Sequence, residues 1–127
     1  MIDFPQAPSL DGREFVMESS TASAVDPASP SRFRYSERDG VVWGDYDGDT
    51  VTFGRFVGTR SGDQLAVSFA HVLVVGGAVV TGSSRSTVHT VGPESPVRLV
   101  EDFRIDDVDH TSVCVEVRRD RGALPAG

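Results

Sequence analysis

Turn signals punctuate this chain about every ten residues, the rhythm of an all-β sandwich or barrel. Asp39-Gly40, Asp47-Gly48-Asp49, Ser61-Gly62-Asp63, Gly76-Gly77 and Gly92-Pro93 separate runs dominated by valine and threonine. Aspartate and glycine tolerate the positive φ that tight hairpins need. The β-branched runs between them favour extended backbone, and no window sustains a 3.6-residue apolar period. The pattern predicts eight strands, over residues 13–23, 32–38, 41–46, 50–59, 64–73, 78–91, 97–105 and 111–118. A proline-rich connection spans 25–31, and an acidic corner spans Asp106, Asp107, Val108 and Asp109.

Eight strands joined mostly by hairpins leave exposed edges unless the sheet closes. Eight is also a number that closes around packed side chains or one small ligand. The expected fold is therefore all-β, a single antiparallel eight-stranded up-and-down barrel with little or no helix. A sandwich with Greek-key crossings is the alternative. Residues 1–12, broken by Pro5 and Pro8, read as a loosely held N-terminal arm. Residues 13–119 form the barrel domain, and 120–127 a flexible C-terminal tail.

Composition narrows the chemistry. All 12 basic residues are arginine, lysine and asparagine are absent, and the formal net charge is −7. No lysine nucleophile, Gly-Lys-Ser/Thr phosphate loop or Asn-linked glycosylation site is possible. An acidic chain without a basic stripe repels nucleic acid. No stretch reaches the roughly 18 apolar residues of a membrane span, so no membrane partner is expected. Nothing before Arg13 reads as a secretory signal. With the single Cys114, which excludes an internal disulfide, this favours a cytoplasmic setting.

The central segments resemble a known family. They are Gly40-Val-Val-Trp43-Gly-Asp-Tyr46-Asp-Gly48, Gly54-Arg-Phe-Val57-Gly58, Phe69-Ala-His71, Thr81-Gly82-Ser-Ser-Arg-Ser86 and Arg98-Leu99-Val-Glu101-Asp-Phe103. Together they resemble small bacterial proteins that often carry the name N-acetylglutamate synthase, over roughly residues 13–118. The resemblance implies a lipocalin- or avidin-like barrel of the calycin kind. The name itself fits poorly. Acetyl-CoA enzymes of the usual type cradle pyrophosphate in a glycine-rich strand-to-helix turn, and no such turn is legible here.

Candidate site residues follow from strand alternation, since residues two apart share a face. Leu65, Val67, Phe69 and His71 share one face, and Thr81, Ser83, Arg85 and Thr87 another. Leu99, Glu101 and Phe103 share a third. An apolar face carrying isolated polar residues is how a ligand-holding interior reads. The expected catalytic group is His71 as acid or base, oriented by Glu101 or Asp45, with Arg85 placing positive charge. The expected ligand walls are Trp43, Asp45, Tyr46, Phe53, Phe69, Ser83 and Phe103. Trp43 and Tyr46 lie on opposite faces of a regular strand, so at most one points inward. The bland reading makes His71 a strand-end cap and Arg85–Glu101 a cross-strand ion pair.

Other chemistries are weaker. His71, His89 and His110 lack close metal-ligand spacing, and the acidic corner lacks the glycine and later glutamate of a calcium loop. Cys114, among valines, reads as a small buried hydrophobe. Ser83-Ser84-Arg85-Ser86 lacks a nucleophile elbow. The prediction is a small-molecule-binding barrel without cofactor or metal. It would be an accessory biosynthetic enzyme, of cyclase, isomerase or dehydratase type, acting on a small apolar or aromatic ligand. The alternatives are a non-catalytic carrier and a structural homodimer with a filled barrel. The valine-rich text from Val72 to Val80 suits a homodimer interface if it stays exposed.

Overall fold

Alternating residues along each strand face opposite sides, so closing the sheet sorts the sequence into an inner and an outer set. A computed structural model describes residues 8–21, 28–90, 92, 95–105 and 107–117. Its strands are β1 (Glu14–Ser20), β2 (Arg32–Arg38), β3 (Val41–Gly48), β4 (Val51–Ser61), β5 (Gln64–Leu73), β6 (Val79–His89), β7 (Arg98–Ile105) and β8 (Val108–Glu116). Each pairs antiparallel with its sequence neighbour, and β1 also pairs with β8, closing the barrel. The sandwich alternative is excluded, because no sheet edge is left open.

The turns behave as the residues dictate. Asp39 and Gly40 both take positive φ, 51° and 78°, between β2 and β3. Gly76 and Gly77 do the same between β5 and β6, at 79° and 65°. The acidic corner is tighter than its sequence suggests. Ile105 pairs with Val108, and Asp107 takes φ 64°, so β8 begins three residues earlier than expected. Aspartate tolerates the left-handed region, and a two-residue hairpin results.

Closure gives the barrel two unlike ends. One end carries the β2–β3 and β4–β5 turns and is sealed. Leu10 is fully buried there with Val42, Leu65, Val88, Val97 and Leu99. Leu10 is therefore packed into the barrel while Ser9, Asp11 and Gly12 are exposed; the rest of the predicted arm and tail lies outside the described residues. Leu10 donates its backbone N–H to Glu37 (2.8 Å). Glu37 also pairs with Arg60 at 2.6 Å, and Arg60 donates to the carbonyl of Pro8 (2.7 Å). Arg60 is only 6% exposed, so this ion pair is satisfied by its own neighbours. Burying a leucine contributes about 1.5–3 kcal/mol, which gives Leu10 the energy to hold the seal.

Two interior glycines seat rings. A side chain at Gly54 would collide with the Tyr46 ring, and a Cβ at Gly82 would fall 2.7 Å from Phe69. Glycine inside a strand often marks such a close approach. Here the two glycines make room for aromatic side chains within the barrel.

Candidate functional site

The other end, carrying the β3–β4, β5–β6 and β7–β8 turns, holds a cavity of about 330 Å³. β2 supplies Phe33 and Tyr35 to its wall, β3 Tyr46, β4 Phe56, β5 Phe69 and His71, and β7 Glu101 and Phe103. A run of ring contacts links most of them. Tyr35 meets Phe56 at 4.6 Å between centroids, Phe33 stacks on Tyr46 at 4.9 Å, and Phe69 stacks on His71 at 5.9 Å. Such pairs add about 0.5–1.5 kcal/mol each beyond burial and keep the wall stiff.

Ser20, Ser31, Asp49 and Thr50 add polar groups to that wall, and two further polar features stand among the rings. The Tyr46 hydroxyl lies 2.7 Å from His71 Nδ1. Burial, reinforced by Glu101, raises the Tyr46 pKa, so the hydroxyl keeps its proton, and the two groups share a hydrogen bond whose direction follows the ring's tautomer. Burial lowers the His71 pKa, which favours the neutral ring. The second feature is Glu101. Burial raises its pKa, the Ser84 hydroxyl opposes that rise, and Asp102 adds to it. Ser84 Oγ is buried without a hydrogen bond of ordinary geometry, so its hold on Glu101 is weak. Among the described residues no salt bridge reaches Glu101.

The predicted site residues divide by face. His71, Glu101, Tyr46, Phe69 and Phe103 line the cavity. Trp43 and Phe53 do not; they are 41% and 43% exposed on the outer surface. Asp45 is also outside, held by Arg34, which reaches Asp47 as well. Ser83 and Arg85 are exposed. Arg85 stands opposite Asp102, whereas Glu101 stands opposite Ser86. An Arg85–Glu101 pair is therefore ruled out, since the two side chains leave opposite faces of the sheet. Tyr46, rather than Glu101 or Asp45, orients His71. Cys114 is buried, and burial raises its thiol pKa.

The sequence reading missed Phe33, Tyr35, Phe56 and Met17, all of which line the cavity. β2 did carry a usable signal. In Arg32-Phe33-Arg34-Tyr35-Ser36, rings alternate with charged or polar residues, so the two rings share the apolar face.

A one-ended barrel with an aromatic cavity defines a class, the small closed β-barrels with room for one ligand. The chain matches the avidin-like protein family over residues 8–117 and belongs to it. The name N-acetylglutamate synthase, which the resemblance carried, is not supported by this match. No curated protein and no solved structure matches the chain. An avidin-like barrel suggests small-molecule binding. No helix among the described residues is long and apolar enough to cross a membrane.

Proposed function

We propose that this protein binds one small, largely apolar molecule in the open-ended cavity. The observation that carries the reading is the aromatic wall interrupted by only a few polar groups, a usual composition for a ligand pocket. A cytoplasmic setting belongs to the same reading. So does a homodimer, supported by the exposed Val74, Val75 and Val79 on the β5–β6 hairpin. A ligand that binds only the folded state raises its melting temperature. A thermal-shift screen of small aromatic compounds should give hits on the native chain. Those hits should vanish in Val80→Trp, which fills the cavity from a lining position. Equal shifts in both proteins would refute the cavity as the site.

A second reading has its own support in the Tyr46–His71 pair. A neutral imidazole held by a hydrogen bond beside a cavity is suited to proton transfer. The reaction would be cofactor-free, of cyclase, isomerase or dehydratase type. His71 would act as acid or base, and Glu101 would set the local charge. For a substrate found by the screen, His71→Gln should abolish turnover and leave binding intact. Turnover that survives His71→Gln would end the assignment.

A further inference from the structure

Glu101 is the feature that the binding reading leaves unexplained. An isolated carboxylate inside a protein is costly unless a countercharge or several donors meet it. Here Ser84 alone opposes the effect of burial, and the salt bridges of the described residues lie elsewhere. The cavity wall contains two carboxylates, Glu101 within and Asp49 in the β3–β4 turn, and no arginine. The chain has no lysine, and among the described residues no arginine stands in this wall. The field inside is therefore negative, and low-dielectric walls concentrate it. The cavity that holds Glu101 is lined by Phe33, Tyr35, Tyr46, Phe56, Phe69 and Phe103, and aromatic rings attract cations. The cation–ring contact found among the described residues is Arg55 over Phe53, on the outer surface, so the inner rings are not already used in this way.

We propose that the cavity takes a small organic cation, an ammonium carried on an apolar body, with Glu101 as its counter-ion. The inference rests on the binding reading and names its ligand class. The ammonium donates to the Glu101 carboxylate, and its body packs against Phe33, Tyr46, Phe69 and Phe103. Asp49 favours entry of positive charge. Burial raises the carboxyl's pKa, and an ammonium beside it favours the charged form.

The test uses three probes of similar shape and different charge: phenethylamine, 2-phenylethanol and 3-phenylpropanoate. Binding to the full chain is measured by calorimetry. The ammonium should bind about tenfold or more tightly than the alcohol, the fold-change expected of one charge-assisted hydrogen bond. The carboxylate should bind weakest. In Glu101→Gln, which keeps the side-chain shape, the ammonium's advantage should fall to about twofold or less while the alcohol still binds. An alcohol equal to the ammonium, or a carboxylate that binds best, would overturn the cation assignment alone. So would an ammonium preference that survives Glu101→Gln. Failure of all three probes to bind would count against the binding reading as well. Thermal unfolding of Glu101→Gln serves as the control for folding, because removing a buried charge should not lower its midpoint.

Discussion

At the sealed end of the barrel Leu10, Val42, Leu65 and Leu99 fill the interior, and the Arg60–Glu37 pair is tied to the chain that crosses it. At the open end the same strands carry rings that stand around a space, with His71 and Glu101 among them. The sealed end satisfies its charges internally. Among the described residues the open end leaves a carboxyl without a cation. Polar groups that are fully paired serve the fold, while those left short of partners in a cavity are poised for something that arrives.

Substitutions should separate the two ends. The largest effect belongs to Leu65→Ala, which opens a void in the packed end. We expect a loss of about 2–5 kcal/mol in urea unfolding, with small-molecule affinity of the folded protein unchanged. Arg60→Ala strands Glu37 and removes a tie to Pro8. It should cost about 3 kcal/mol, again without altering binding. A change in ligand affinity that rivals the stability loss would break the division between the ends.

The open end should instead show in pH dependence. The folded barrel lowers the His71 pKa from 6.5, so the unfolded chain binds more protons as pH falls. The His71 contribution is complete above 6.5 and is lost on acidification toward the folded value. Glu101 has the opposite sign. Its pKa is raised from 4.5, so its contribution is complete below 4.5 and is lost as pH rises through the folded value. In pH-resolved unfolding, His71→Gln should flatten the decline below pH 6.5. Glu101→Gln should remove the loss that sets in as pH rises above 4.5. An unchanged acid limb in His71→Gln would show that the ring is not held neutral. The smallest effect is expected for Arg85→Ala, on the outer surface: within about 0.5 kcal/mol in stability, with binding unaltered. A large loss of binding there would place part of the site outside the barrel.

Strand number and closure were legible because turn residues and β-branched runs recur so regularly. The direction of each face was harder. On β3 the inner position Gly44 carries no side chain, while the outer Trp43 carries the largest, so hydrophobicity points the wrong way. The glycine is required because the Arg34 backbone carbonyl and the Phe56 ring occupy the space its side chain would need. On β6 the inner set includes Gly82, Ser84 and Ser86 and the outer set Thr81, Ser83 and Arg85, and neither reads as a core. Phe53 misled for a related reason. A register shift lies between Val51 and Phe53, and one extra residue reverses the faces. The Tyr46–His71 contact joins β3 to β5 across β4, a distance in the chain that periodicity does not encode.

The central claim, that the open end is a binding cavity, is tested most directly by mapping NMR shift changes on adding phenethylamine and 2-phenylethanol. At least one probe should shift Tyr46, Phe69, His71 and Phe103 together and leave Leu10, Val42 and Leu65 in place. Shifts confined to the outer face around Trp43, or no shifts with either probe, would contradict it.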